Sequence, residues 1–335
     1  MVETGRQILE SLRDGGEGAR SAEDLSARLG ISQAQVWKHV STLRKRGYEI
    51  DGAPDGGYRF IAAPDRLYPE EISRGLTSRW LGRRIHHLDE TDSTNRVAAE
   101  LAQEGAAHGT AVVAEAQTAG RGRLGRSFYS PPYSNLYTSI VLRPNLDTSS
   151  APTLLLAAGI GVAETVSCIL GEGADPEIKW PNDVLLGGLK TSGILMEIEA
   201  EENRVSHAIL GIGVNLNVDR NEFPDEFRER ATSLRSHSGL SVNRADFTRQ
   251  LFENLEDVLD EHERGGLGLL RPRFDAHFRM LGRKITVAEV SGRTIEGIAA
   301  GIAPNGALQL DRPSGERLEL LAGDVTICKD DPAKE

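Results

Sequence analysis

At 335 residues the chain is long enough for two or three domains with sizeable cores, and 39% hydrophobic with 27% charged residues excludes a disordered or fibrous chain. A net charge of −11 disfavours a protein that coats polyanions over its whole surface. The excess is uneven, with 9 basic and 9 acidic side chains in residues 1–62 and 30 against 41 in the remainder, so a neutral head precedes an acidic body. Cys168 and Cys328 lie far apart without C-x-x-C spacing, which predicts two buried thiols in a reducing compartment and no cysteine metal site. Glu3, Arg6 and Glu10 interrupt the start, so no signal peptide is expected. No apolar run is expected to approach ~18 residues. These features predict a cytoplasmic protein with no membrane partner.

Residues 5–13 predict a short amphipathic helix, with Ile8, Leu9 and Leu12 on one face. Ser21 caps a second helix that ends at Gly30, and Ser32 caps a third, Gln33–Arg46, closed by Gly47. In the third, Val36, Val40 and Leu43 fall at core spacing. Gln33, Gln35, Lys38, His39, Thr42 and Lys45 face outward, and residues 33–46 hold four basic side chains and no acidic one. This is a helix-turn-helix pattern, in which Gln reads adenine edges while Lys and Arg contact phosphate. Tyr48–Ile50 and Tyr58–Ile61, parted by Ala53-Pro54-Asp55-Gly56-Gly57, predict a β-hairpin. Residues 1–63 are therefore expected to form a winged helix-turn-helix that binds DNA; a winged helix used only for protein contacts is the alternative. Residues 64–83 read as a linker with one short helix, about Pro69–Leu76.

The body begins with a strand at Arg84–Leu88, then Ser93-Thr94-Asn95 opens a helix to Glu104. Those three residues either cap the helix or present hydroxyl and amide groups to a polar ligand. A strand over Thr110–Ala116, with Gln117 at its end, feeds the run Gly120-Arg121-Gly122-Arg123-Leu124-Gly125-Arg126. Glycine lets a ligand approach the backbone, and arginine offers a planar fork for carboxylate or phosphate. The run fits G-x-G-x-x-G, but Pro131-Pro132 argues against the helix a dinucleotide fingerprint needs, and no Lys-Ser/Thr pair closes a Walker loop. Three arginines in one short loop of an acidic protein favour an anion-wrapping loop over a plain flexible one.

Further strands are expected at Ser134–Leu142 and Val205–Ile212, with a buried, nearly all-apolar helix at Ala151–Leu170 between them. Ile178-Lys179-Trp180-Pro181-Asn182-Asp183-Val184 predicts a turn that presents Asn182 and Asp183, as a ligand contact or as a structural Asx-turn. Lys190 sits at a hairpin entry between glycines, either solvated or turned inward toward an anion. Gly211–Asn217 forms a glycine-rich strand end, and Asp219–Arg230, polar with Phe223 and Phe227, suits a mobile flap. Helices about Arg244–Glu263 and Leu269–Leu281 precede short strands parted by Ser291-Gly292, Asn305-Gly306 and Ser314-Gly315, a small β-barrel or meander.

Four ordered motifs resemble those of biotin–protein ligases: Gly120–Arg126 is similar to their GRGRxGR loop, Lys179–Val184 to KWPND, Lys190 with Gly193-Ile194-Leu195 to K-x-x-G-I-L, and Gly211–Asn217 to GIGxNxN. With the head included, the resemblance is to the bifunctional, biotin-operon-repressor type and covers essentially the whole chain. It implies an α+β fold: an N-terminal winged helix-turn-helix, a central class II synthetase-like mixed sheet with helices at 84–281, and a C-terminal SH3-like β-barrel at 282–335. The implied reaction activates biotin with Mg-ATP to biotinyl-5′-AMP and moves biotin to a lysine of a biotin carboxyl carrier protein, without a covalent enzyme intermediate. Carried over residue by residue, Ser93, Thr94, Asn95, Gln117, Arg121, Gly122, Arg123 and Lys190 would hold biotin. Arg123, Arg126, Asn182, Asp183, Lys190 and Asn215 would hold ATP and the adenylate, and Lys190, Arg123 and Arg121 would be catalytic. Asp183 would bind Mg²⁺. The same resemblance implies operator DNA of biotin genes as a partner and a ligand-linked homodimer. Phe128 stands where the family often has tryptophan. A lipoate–protein ligase and a non-enzymatic biotin sensor are the alternatives.

Overall fold

The structure, a computed structural model, describes residues 3–16, 18–53, 56–289 and 292–328. Pro54 and Asp55 of the expected hairpin turn, Ser291, and residues from Lys329 onward lie outside them. The chain divides into two compact units, Met1–Arg66 and Leu67–Glu335.

The first unit holds α1 (Glu3–Asp14), α2 (Ala22–Leu29) and α3 (Gln33–Lys45), followed by an antiparallel hairpin of β1 (Glu49–Ala53) and β2 (Gly57–Ala62). The caps fall where the sequence places them. Ser21 Oγ accepts from the Asp24 amide at 2.9 Å, and Gly30 ends α2 in the left-handed region. Ser32 and Gln35 form a reciprocal capping box at the start of α3. Ile8, Leu9, Leu12, Val36, Val40 and Leu43 are buried together as the periodicity requires. Arg44 donates to the Ile50 and Gly52 carbonyls at 2.9 and 2.8 Å, so it fastens the hairpin to α3.

The second unit opens with α4 (Pro69–Ile72) and β3 (Ile85–Leu88), then α5 (Thr94–Gln103), β4 (Ala111–Ala114), β5 (Leu136–Leu142) and α6 (Ala151–Leu170). β6 (Pro176–Lys179), β7 (Asp183–Leu186), β8 (Leu189–Glu201) and β9 (Arg204–Val214) complete a seven-stranded sheet. Its order is β3-β4-β5-β9-β8-β7-β6, with β3 and β4 parallel and the other pairs antiparallel, a mixed sheet. Alternation sorts the side chains. Ile140, Leu142, Leu210 and Ile212 point into the large core with α6, whereas Val112, Val141 and Ile209 meet Ala98 and Ala102 of α5 on the opposite face.

Two expectations are corrected here. The segment Thr148–Leu170 is long and apolar enough, by length and composition, to cross a membrane, so an apolar run of that length does exist. In this fold it is a core helix, buried along most of its length against the sheet and α9. Both cysteines are free thiols, but Cys168, on the solvent side of the last turn of α6, is exposed and Cys328 is only half-buried.

The expected flap is folded and docked. α7 (Asp225–Arg228) follows a capping box of Asp219 and Glu222, and Phe223 is buried against Val218 and Ala231. Burying one such ring contributes about 1.5–3 kcal/mol, enough to hold a short segment down. After α8 (Leu234–Ser238), α9 runs Arg244–His277 as two helical pieces that meet at Gly265 and Gly266, where the backbone leaves helical values. At its start Arg244 and Glu115, both fully buried, pair at 2.9 Å. Glu115 also accepts from the Leu67 amide at 2.8 Å and contacts His87 Nε2 at 3.1 Å. Burial opposes its ionisation, but the His87 bond, the Arg244 charge and the Leu67 amide outweigh it and hold the carboxyl at about 2.

The chain ends in a five-stranded antiparallel sheet, order β13-β12-β11-β10-β14, from β10 (Lys284–Ala288), β11 (Thr294–Ile302), β12 (Leu308–Asp311), β13 (Arg317–Leu320) and β14 (Asp324–Ile327). Its inner residues, Ile285, Val287 and Leu308 among them, join the core of the large sheet. Trp180 Nε1 donates to the Gly306 carbonyl at 3.0 Å across the same junction.

Candidate active site

The face of the large sheet that carries α5 is left low by three glycines. Gly193 lies opposite Gly213, and Leu195 opposite Gly211, across the β8–β9 pair; Ser139 and Tyr137 of β5 flank the two β9 glycines. The glycines are there for space. A Cβ on Gly211 would run into the Asn95 carboxamide oxygen, and one on Gly213 would come within 2.5 Å of the Phe128 ring. Replacing Gly213 by alanine is therefore expected to push Phe128 off the sheet. A lowered melting temperature is expected, while far-UV circular dichroism stays unchanged.

A polar wall closes one end of this trough. Ser93 begins α5 but makes no side-chain capping bond, so the Ser93-Thr94-Asn95 trio is not spent on capping. The Thr94 amide and hydroxyl donate to Gln117 Oε1 at 2.9 and 3.2 Å, and Gln117 Nε2 donates to Ser130 Oγ at 3.0 Å. The Ser139 hydroxyl lies 2.6 Å from Asn95 Oδ1 and 2.7 Å from Thr94 Oγ1, and Asn95 Nδ2 donates to Glu197 at 2.7 Å. Sequence reading missed Ser130, Ser139 and Glu197. The signal for Ser139 was present: Thr138-Ser139 interrupts an otherwise apolar, fully buried strand.

Positive charge collects at the other end. The Gly120–Arg126 run folds into a small hairpin, with the Phe128 amide donating to the Gly120 carbonyl at 2.9 Å and the Gly122 amide to the Arg126 carbonyl at 2.7 Å. Leu124 and Gly125 take left-handed backbone values at its tip, which the glycine accommodates without cost. Arg123 Nη1 donates to Asn182 Oδ1 at 3.1 Å and to the Gly323 carbonyl at 3.3 Å. Burial pushes the Arg123 guanidinium below its usual value, with Asp183 and Asp324 only partly compensating, so an incoming anion would be welcome there. Arg121 is half-exposed at the rim, 3.9 Å from Glu197. Arg126 pairs with Asp324 of β14 at 2.6 Å and so acts as a tether between the hairpin and the C-terminal sheet.

Lys190 is turned inward. Its amide donates to the Arg230 carbonyl at 2.8 Å and its carbonyl accepts from the Thr232 amide at 2.9 Å, so the docked 219–230 segment fixes its backbone. The side chain passes over Gly193 and brings Nζ within 2.6 Å of Asp183 Oδ1. Asn182 Nδ2 donates to the Ile194 carbonyl at 2.9 Å, which locks the turn beside β8. Asn215 stands apart from this group. It is buried, its Nδ2 donates to the Thr232 carbonyl at 3.1 Å, and its Oδ1 accepts from Asn135 at 3.4 Å, so both ends are committed to the core.

In the first unit, Gln33, Lys38, Thr42 and Lys45 of α3 are exposed and His39 is half-buried. The Gln35 oxygen is taken by the Ser32 amide at 2.8 Å, which leaves only its NH₂ end outward. Trp37, more than half exposed, shares the open surface and was not singled out from the sequence.

A helix-turn-helix unit, and a second unit whose glycine trough runs from a polar wall to clustered cations, define an adenylating ligase joined to a DNA-binding head. Residues 88–215 match the biotin/lipoate A/B protein ligase family, residues 5–59 an HTH domain and residues 280–327 the biotin protein ligase C terminal domain. The chain is 36% identical over 322 residues to the bifunctional ligase/repressor BirA of Bacillus subtilis, covering 96% of this chain and 98% of that protein. It is 31% identical over 308 residues to the protein of the same name from Escherichia coli, covering 92% of each. A solved structure of the biotin protein ligase from Aquifex aeolicus in complex with biotin and ATP superposes with a TM-score of 0.62 at 28% identity, covering 73% of this chain and 99% of that one. The chain belongs to the bifunctional biotin–protein ligase/repressor family.

Proposed function

We propose that this protein activates biotin with ATP to biotinyl-5′-AMP, transfers biotin to a lysine of a biotin carboxyl carrier protein, and represses transcription by binding operator DNA through its head. The observation that carries the reading is the inward Lys190 beside Arg123, set over a glycine floor that ends in hydrogen-bonding side chains. Biotin suits that trough: its ureido ring would meet Ser93, Thr94, Asn95 and Gln117, and its carboxylate would reach Lys190. Arg121 and Gly122 would close over the bound acid. A biotin carboxylate oxygen then attacks the α-phosphorus of ATP, a P–O bond to pyrophosphate breaks, and the acyl adenylate remains.

Lys190 would bridge the two anions, releasing Asp183, while Arg123 neutralises the α-phosphate. Arg126 and Asn182 would position the hairpin and the turn around the phosphates, and Asn215 would act by holding the strand end beside Lys190. The acceptor amine then attacks the acyl carbon and AMP leaves.

Among the described residues no three metal-ligating side chains cluster. The Asp183 carboxylate, 16% exposed and 2.6 Å from the Lys190 ammonium, would hold a Mg²⁺ once that ammonium turns to the substrate. Such an ion would offset phosphate charge as pyrophosphate departs.

The finer architecture belongs to the same proposal. The C-terminal sheet would close as an SH3-like barrel, the large sheet is class II synthetase-like, and the domains run 1–63, 64–83, 84–281 and 282–335. The protein would work in the cytoplasm and dimerise on binding the adenylate. Incubation with ATP, biotin and an apo carrier domain should yield biotinylated carrier, and no transfer would overturn the reading. For the head, Lys38→Ala and Lys45→Ala are each expected to weaken binding to a duplex from upstream of the biotin genes. Each should also reduce the slope of log affinity against log salt by about 1, measured by fluorescence anisotropy. Wild-type slopes in both would remove those lysines from the interface.

A further inference from the structure

A second cavity lies on the other face of the large sheet. It has a volume of about 350 Å³, within the size range of small-molecule sites. The break in α9 makes room for it: Gly266, with φ 61 and ψ −161, lines the cavity where a continuous helix would place a turn of side chains. Leu142, at the end of β5, forms part of the floor. It lies three residues beyond Ser139, about 10 Å along the strand, and its side chain points away from the trough.

The lining is apolar with a few placed polar groups. Leu142, Leu154, Leu259 and Leu267 supply aliphatic surface, and the rings of Trp80 and His108 pack at 4.1 Å between centroids to form an aromatic wall. His262 is only 4% exposed and contacts Thr153 Oγ1 through Nε2 at 2.7 Å. The Thr153 hydroxyl donates its one proton to the Ser150 carbonyl at 2.6 Å. Nε2 must then carry the imidazole proton, and Nδ1 is left as an acceptor. Burial lowers the His262 pKa, which keeps the ring in that neutral form.

The charged lining groups are Arg143, Asp260 and Glu263. The Arg143 guanidinium is bound to the Ala106 and Ala102 carbonyls at 3.1 and 2.7 Å, and Asp260 is committed to Trp80 Nε1 at 3.0 Å and to an ion pair with Arg79. Glu263 has no ion pair among the described residues. An acceptor imidazole, a free carboxylate and an aromatic wall together select a hydrogen-bond donor with positive charge on an apolar body.

The geometry points to a second ligand site, behind the kink of α9, for a small primary amine carrying an aromatic or branched apolar group. The ligase reading is not needed for it. Calorimetry on the full-length protein with 2-phenylethylamine tests the site, with 3-phenylpropionate as the anionic comparator. Saturable 1:1 binding is expected with a dissociation constant of about 1 mM or lower, at least about tenfold weaker for the acid, and undisturbed by saturating biotin. Glu263→Gln changes an exposed side chain and is expected to weaken amine binding about fivefold while leaving biotin transfer unchanged. Leu154→Trp fills the cavity and should abolish amine binding. No saturable binding, equal affinity for the acid, displacement by biotin, or an unchanged Glu263→Gln affinity would each overturn the assignment.

Discussion

Lys190→Met is expected to slow adenylate formation by about 10²–10³-fold, the usual loss when one preorganised charge is removed from a reacting centre. Two anions must meet in this reaction, and the Lys190 ammonium is the group placed to join them. The substitution leaves the fold in place, because the bonds that dock residue 190 to Arg230 and Thr232 use its backbone. Asp183 loses a close partner, and its side chain is only 16% exposed. Asp183→Asn in the same chain should therefore recover any drop in melting temperature without restoring turnover. Pyrophosphate release with biotin and ATP is the measurement, and wild-type turnover in Lys190→Met would remove the residue from the mechanism.

Arg244→Met should cost about 3–5 kcal/mol of stability, because it strands the Glu115 carboxylate without its buried counter-charge. The same pair also ties the first turn of α9 to the residue that follows β4, two positions before Gln117. The pH dependence separates this from a simple packing loss. The folded Glu115 carboxyl sits at about 2 against an ordinary 4.5, so its contribution is fully present above about 4.5 and is lost as pH falls toward 2. Urea melts of wild type and variant should therefore converge as pH drops from 5 to 3. A constant gap across that range would mean that Arg244 stabilises by packing alone.

The parts of the site that chemistry writes locally were legible in the sequence. The alternation of glycine and arginine from Gly120 to Arg126 marks an anion loop, and Ser32 with Gln35 marks the start of α3. Pairings set by tertiary register were not. The sequence left Lys190 either solvated or turned toward an anion, and the short β7–β8 hairpin, with its register shift at Val184–Leu185, folds Asp183 back beside it. Asn215 reads as a ligand group from its motif, but only the fold reveals that Asn135 and Thr232 occupy both ends of its amide. The docking of residues 219–230 was hidden for a similar reason, since it rests on Phe223 being buried with Val218 and Ala231.

The tether between the Gly120–Arg126 hairpin and the C-terminal sheet also has a consequence in time. Arg123 and Gly323 are separated by 200 positions, and Arg126 and Asp324 by 198. At a synthesis rate of about 5–20 residues per second, a ribosome joins Asp324 on the order of 10–40 s after Arg126. Throughout that interval a nascent chain carries its arginine hairpin with nothing on β14 to hold it. β14 thus completes the hold on the hairpin, and a chain interrupted before it keeps only the Arg123–Asn182 bond to the large sheet.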